Sequence, residues 1–160
     1  DLHREVRCQL QVAVLGERSP EKFAMADSRD QIERFRCVCV KPNTSEIGHA
    51  FLRNAERGGE ETFVRVPAIF QTDGGNGIWV HRRDVPAPLL IPAYPVSGPI
   101  DICGAGDSTS AGITAAMVSE STHEQAAAFG CLVASITIQQ IGVTGTATPE
   151  QVRARWREVQ

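Results

Sequence analysis

Apolar residues recur along the chain with two different spacings, and together these predict an α/β fold. Short apolar runs that end in polar residues or glycine predict strands, whereas apolar positions three and four residues apart predict helices. Strands that alternate with helices favour layers packed on a mostly parallel sheet. The predicted strands are 23–26, 37–40, 68–71, 78–81 and an irregular 89–96; the predicted helices are 2–14, 31–35, one from Asn43 to Gly58 and Gly59, 105–119, 122–141 and 149–159.

Several residues set expectations about how these elements end and face. Gly16 and Pro20 are expected to end the first helix, and Pro92 to keep 89–96 irregular or at a sheet edge. Cys37 and Cys39 alternate within an apolar run, so they are expected to face the same side of a strand.

Four polar or glycine residues each follow a predicted strand: Asp27, Asn43, Thr72 and Gly104. In a parallel sheet, ligands bind beyond the carboxyl ends of the strands. We therefore expect the short motifs around these residues to lie at one edge of the sheet.

Composition excludes several classes of protein. With 160 residues, 42% of them hydrophobic, the chain is long enough to bury the core of one domain. Its net charge of −3 and scattered basic residues predict no nucleic-acid partner. No apolar run is long enough to cross a membrane. The five cysteines lack metal-site spacing, which predicts buried free thiols and a cytoplasmic location.

A glycine-rich loop, Gly104-Ala105-Gly106-Asp107, opens into a run of small residues that predicts a buried helix. The first amides of a helix have no partner within it, and with the helix dipole they form an anion site. A carboxylate beside such a site suits phosphoryl transfer, because it can take the proton of an attacking hydroxyl. Alternatively, Asp107 is only the N-cap of the helix and the glycines only a turn.

Three further motifs lie elsewhere in the chain. Asn43 and Glu46 have the spacing of a helix capping box. The segment from Thr72 to Gly77 contains Gly74, Gly75 and Gly77, which suits either close approach to a nucleotide or a plain hairpin turn. Asp101 precedes the glycine-rich loop and is either a ligand or a turn residue.

Taken together and in this order, the motifs resemble those of the ribokinase-like (PfkB) family of carbohydrate kinases. The resemblance implies a three-layer ribokinase-like fold and ATP-dependent transfer of the γ-phosphoryl group to a sugar hydroxyl. It implies that Asp107 is the catalytic base and that the Gly104, Ala105, Gly106 and Asp107 amides form the anion hole. One position departs from the family pattern, because Ile102 stands where a threonine is usual.

The same resemblance implies the cofactors and their residues. ATP is expected on the Thr72, Gly74 and Gly77 loop and near Asn43, with adenine against 139–146, which includes Gly142. Mg²⁺ is expected to meet Glu46 through water, as suits its firmly held hydration shell. A monovalent cation such as K⁺ is expected near Asp101 and Thr146.

The resemblance also implies that residues 1–160 form the C-terminal, nucleotide-binding part of a kinase domain. The lid and the sugar-binding half of the family are not recognisable, so we expect a missing N-terminal half or a partner chain to complete the site. A homo-oligomer is a further expectation. The alternative from another class is a catalytically silent module of the same fold that binds a nucleotide or metabolite.

Overall fold

A computed structural model describes residues 2–19, 21–56, 63 and 65–160 of the chain. The chain divides into two compact units. The first comprises Asp1–Asp73 and Trp79–Leu89, and the second comprises Gly74–Ile78 and Leu90–Gln160.

The elements alternate as the hydrophobic pattern predicts. The helices are α1 (Leu2–Arg18), α2 (Thr44–Glu56), α3 (Ala105–Val118), α4 (His123–Thr137) and α5 (Pro149–Glu158); the strands are β1 (Met25–Ala26), β2 (Cys39–Val40), β3 (Ala68–Thr72), β4 (Gly77–Arg82) and β5 (Leu89–Pro92), with single 3₁₀ turns at Ile32–Arg34 and Gly74–Asn76. Gly58 and Gly59, which were expected to end α2, lie outside the described residues.

The strands form a sheet in the order β1-β2-β3-β4-β5. Parallel pairing places Met25 opposite Cys39 and Val40 opposite Ile69. β4 returns along β3, because the short connection between them cannot make a parallel crossover, and the Arg83 amide donates to Pro67 O over 3.3 Å. The predicted α/β class with a mostly parallel sheet is confirmed.

A buried cluster from the strands and α2 forms the core of the first unit. It includes Ile32, Val38, Val40 and Ala50, all at most 2% exposed. Arg53 on α2 donates two hydrogen bonds, of 3.1 and 2.9 Å, to the carboxylate of the buried Glu33. This two-point contact holds α2 against the Ile32–Arg34 turn.

The helix end expected at Gly16 is wrong, since α1 continues through Gly16 to Arg18. Pro20, also expected to end this helix, lies outside the described residues. A Cβ on Gly16 would lie 2.2 Å from Cys37 O, so the missing side chain serves a close approach rather than a break. Cys37 itself has φ +61° and lies outside β2. The strand alternation expected for Cys37 and Cys39 is therefore wrong: Cys39 is buried, whereas Cys37 is only half-buried.

Two glycines let α3 and α4 pack closely in the second unit. A Cβ on Gly112 would lie 3.0 Å from the Gly130 Cα, and one on Gly130 would lie 2.8 Å from Ile113 Cγ1. The helices thus meet almost backbone to backbone. Because α3 carries the glycine-rich loop at its start, this packing also helps to fix the loop.

Two predicted boundaries in this unit are too long. The strand expected over 89–96 ends at Pro92, because Pro92 and Pro95 have no amide to donate to a ladder. Gly104 therefore does not follow a strand directly. The helix expected over 122–141 ends at Thr137, where the chain turns: the Asp101 amide donates to Ile138 O over 2.8 Å.

We predict that Gly130→Val lowers the free energy of unfolding by about 2–3 kcal/mol, the cost of overpacking a tight contact. Gly48 on α2 is a matched control, because a Cβ there would meet no atom within 4 Å. Chemical denaturation of Gly130→Val and Gly48→Val measures the difference. Equal stabilities of the two variants would contradict the close helix contact.

Candidate active site

In the first unit, Asn43 and Glu46 form a reciprocal cap at the start of α2. The Asn43 amide donates to Glu46 Oε2, and the Glu46 amide donates to Asn43 Oδ1, both over 2.8 Å. The capping role weighed for these residues is thus real. The hydrogen bond from the Asn43 amide occupies only Oε2 of Glu46, so capping and a contact with hydrated Mg²⁺ are compatible.

The end of β3 lies against the same cap. The Thr72 amide donates to Pro42 O over 2.9 Å, and Asn43 pairs with Thr72 in an isolated parallel bridge. The Thr44 hydroxyl lies 3.1 Å from Asp73 Oδ1. The structure therefore brings Asn43, Glu46 and Thr72 together, as strand-end placement predicts.

Sequence reasoning missed a buried cation at this edge. Lys41 Nζ lies 2.8 Å from Asp27 Oδ2, and the lysine side chain is only 5% exposed. Its ammonium has three donors, and within the described residues Asp27 is the partner that the structure assigns to it. A lysine directly after the buried residue Val40 is the sequence signal that could have singled it out.

In the second unit, Gly104 is the N-cap of α3 and has φ +77°. No side chain caps this helix start. A Cβ at Gly104 would lie 2.7 Å from Thr144 Cγ2, so both the backbone conformation and the space require glycine. The Ala105 amide donates to Ile102 O over 3.1 Å. The amides of Gly106 and Asp107 remain in the first turn, where no intrahelical acceptor exists.

Asp107 is not the helix cap, so the alternative structural role weighed for it is wrong. It lies in the first turn of α3, three residues after the N-cap Gly104, and its side chain is exposed. Within the described part of the chain, no hydrogen bond or ion pair occupies its carboxylate. The carboxylate is therefore exposed to solvent at the start of α3.

Asp101 fastens two loops of the second unit together. Its Oδ1 accepts from the Cys103 amide and its Oδ2 from the Gly142 amide, each over 2.9 Å. These two hydrogen bonds hold the pKa of Asp101 below its usual value. The turn-residue role is thus real, and Ile102 beside it is 74% exposed.

The loop after α4 is closed by a second reciprocal pair. Gln140 Nε2 donates to Thr146 O over 2.6 Å, and the Thr146 amide donates to Gln140 Oε1 over 3.2 Å. Gly142 turns this loop with φ +75°. Asp101, Gly142, Thr146 and the glycine-rich loop are therefore neighbours in this unit.

Two glycines of the predicted nucleotide loop differ in their surroundings. Gly74 has φ +51° and a Cβ there would meet nothing within 4 Å, which leaves room for a ligand. Gly77 has φ +116°, and its Cβ would lie 2.1 Å from Ile91 O. Gly77 is therefore fixed by strand pairing, whereas Gly74 is fixed by its turn.

Among the cysteines, the expectation of buried thiols holds for two. Burial raises the pKa of Cys39 and of Cys131 to about 11. Cys103 contradicts the expectation because it is exposed, in the loop that leads into α3.

Neither a metal cluster nor a membrane helix is found in the described ranges. Residues 2–19, 21–56, 63 and 65–160 hold no group of three or more His, Cys, Asp or Glu side chains that could bind a metal ion. The same residues include no helix long and apolar enough to cross a membrane.

The profile of the pfkB family carbohydrate kinases matches residues 14–151. The chain belongs to this family. The match covers the Asn43 cap, the Thr72 loop and the start of α3, so the motif resemblance is confirmed. No curated protein matches the chain at a significant level.

Solved structures show the same fold for this pfkB-family chain. Arabidopsis thaliana ribokinase in complex with ribose and ATP has a TM-score of 0.74 and 18% identity, covering 94% of this chain and 52% of its own. The Methanocaldococcus jannaschii nucleoside kinase has a TM-score of 0.69 and 23% identity; the match covers 99% of this chain and 54% of that kinase. The Burkholderia thailandensis nucleoside kinase in complex with inosine has a TM-score of 0.64 and 23% identity; the match covers 92% of this chain and 44% of that kinase. The chain thus spans about half the length of the structures that it matches.

We predict that Gly104→Ala lowers the free energy of unfolding by about 3 kcal/mol, since left-handed strain adds to the Thr144 clash. Gly142→Ala is the matched control, because it carries a similar φ with open space around it, and we expect a loss of about 1 kcal/mol. Denaturation curves measure both. Adding Thr144→Ser to Gly104→Ala removes the methyl group that clashes, so it should restore the stability lost beyond that of Gly142→Ala. No such recovery would contradict the clash.

Proposed function

We propose that this protein is an ATP-dependent kinase that transfers the γ-phosphoryl group to a hydroxyl of a sugar or sugar-like substrate. One observation carries the proposal: α3 starts at Gly104 without a side-chain cap, and the exposed Asp107 carboxylate stands in that first turn. By contrast, α2, α4 and α5 all start with reciprocal side-chain caps. The amides of α3 are thus left for an anion.

The chemistry follows from that arrangement. The substrate oxygen attacks the γ-phosphorus as the bond to the leaving ADP oxygen breaks, and Asp107 takes the hydroxyl proton. The Gly106 and Asp107 amides donate to the phosphoryl oxygens, on which negative charge is spread in the transition state. Because the Ala105 amide already donates to Ile102 O, Ala105 contributes less to this anion hole than its neighbours.

The first unit supplies the groups for nucleotide and metal. Thr72 would bind the ATP phosphates or ribose, and the Lys41 ammonium places a positive charge at the same strand ends. Gly74, which belongs to the second unit, would adjoin the nucleotide. Glu46 and Asn43 offer the oxygen donors that suit a hydrated Mg²⁺. When bound, Mg²⁺ neutralises charge on the β- and γ-phosphates. Asp101 and Thr146 O would hold K⁺ in the second unit, and Gly142 would adjoin the nucleotide.

The acceptor site belongs to the same proposal. The chain spans about half the length of the kinases that it matches. Phosphoryl transfer requires the acceptor hydroxyl to be held in line. We propose that a further segment or a partner chain supplies most of that site. ATP binding without turnover by residues 1–160 would agree; sugar-dependent ADP release by this chain alone would contradict it.

We predict that Asp107→Asn lowers kcat by about 10²–10⁴-fold in the active enzyme, the usual contribution of a positioned base. ATP affinity should change little, because the helix amides stay in place. Asp84→Asn is the control, since Asp84 pairs with Arg82 outside the motifs. Steady-state kinetics with calorimetry of ATP binding tests this. Near wild-type turnover of Asp107→Asn would falsify the role. ATP binding without turnover by a protein that also contains the acceptor half would favour the silent module.

A second prediction separates the two roles of Glu46. Glutamine can still accept from the Asn43 amide, so Glu46→Gln keeps the cap while removing the charge. We therefore expect a several-fold higher Mg²⁺ concentration for half-maximal activity, with an unchanged melting temperature. Glu56→Gln at the other end of α2 is the control. A fall in melting temperature with an unchanged Mg²⁺ dependence would show that Glu46 serves only the helix.

A further inference from the structure

Four polar side chains in the first unit form a continuous hydrogen-bonded chain that ends at the nucleotide loop. His81 Nε2 lies 3.0 Å from Gln71 Oε1, and Gln71 Nε2 lies 3.4 Å from Thr44 Oγ1. Thr44 Oγ1 in turn lies 3.1 Å from Asp73 Oδ1. The chain links strands β4 and β3 to the first residue of α2 and then to Asp73.

The donor and acceptor chemistry of the four side chains fixes the direction of each hydrogen bond in this series. The Gln71 amide nitrogen can only donate, so its hydrogen bond fills a lone pair of the Thr44 hydroxyl. The single hydroxyl proton of Thr44 is then donated to the Asp73 carboxylate, a stronger acceptor than Thr72 O at 3.4 Å. Gln71 Oε1 accepts from His81 Nε2–H. Each member thus orients the next.

The last side chain of this hydrogen-bonded series, Asp73, lies in the proposed nucleotide loop. It stands between Thr72 and Gly74, both assigned above to ATP. A Cβ at Gly74 or Gly75 would meet no atom within 4 Å, so side-chain packing does not hold this stretch. The Thr44 hydroxyl ties the Asp73 carboxylate to the first residue of α2.

We propose that Thr44 is a positioning residue that, through Asp73, holds the end of β3, Thr72 and Asp73, in the conformation that binds ATP. The inference rests on the proposed function, because it assigns the nucleotide to this loop. Thr44 would act without touching the nucleotide. It also connects the Asn43–Glu46 cap to the loop, so the two nucleotide-binding elements of the first unit are fixed relative to each other.

The test compares Thr44→Val with Thr44→Ser, which keeps the hydroxyl. Calorimetry with Mg²⁺ and a non-hydrolysable ATP analogue should show about tenfold weaker binding for Thr44→Val, as expected for losing a hydrogen bond to a charged group. Thr44→Ser should bind within about twofold of wild type, and so should the neighbouring control Ser45→Ala. NMR-detected amide exchange without nucleotide should be several-fold faster at Thr72 and Asp73 in Thr44→Val only.

The outcomes separate this inference from the proposed function. Failure of the wild-type protein to bind the analogue would overturn the proposed function and this inference with it. Wild-type binding with equal affinity in Thr44→Val would overturn the inference alone. Weaker binding of Thr44→Val with unchanged amide exchange would also overturn it, because Thr44 would then contact the nucleotide directly.

Discussion

The first turn of every helix leaves backbone N–H groups without acceptors, and the way each helix start meets this requirement organises the candidate site. α2, α4 and α5 satisfy it with reciprocal side-chain pairs. α3 does not: its cap is Gly104, which has no side chain. Three helix starts are therefore held by side chains, whereas no side chain caps the first-turn amides of α3.

The exposed start of α3 needs support from elsewhere in its unit. Gly112 and Gly130 fix the helix against α4 at near backbone contact, and Asp101 ties the approach to the helix to the loop that follows α4. Only glycine fits at position 104, because Thr144 occupies the space that a side chain would need. A site that binds phosphate through backbone amides needs this support, since amides cannot adjust their direction as side chains can. The pfkB-family motif is thus a small exposed part of a tightly packed helix pair.

The first unit supports its part of the site with polar contacts rather than with packing. Lys41 and Asp27 pair across neighbouring strand ends, and Thr44 joins α2 to Asp73. The Lys41 side chain is only 5% exposed, whereas the Thr44–Asp73 contact is exposed, and exposed polar contacts are individually weak.

The sequence by itself determined the α/β class, the order of the elements and the motifs that place the chain in the pfkB family, because periodicity and short spacings are local properties. Only the tertiary structure decided the rest. Gly16 permits a close approach to Cys37 O instead of ending α1, and α4 stops where the Asp101 amide meets Ile138 O. The cap of α3 is Gly104, which frees Asp107, and Lys41 is buried against Asp27. Each of these depends on a residue that is distant in the chain, and a hydrogen bond or steric contact between distant residues leaves no periodic trace in the sequence.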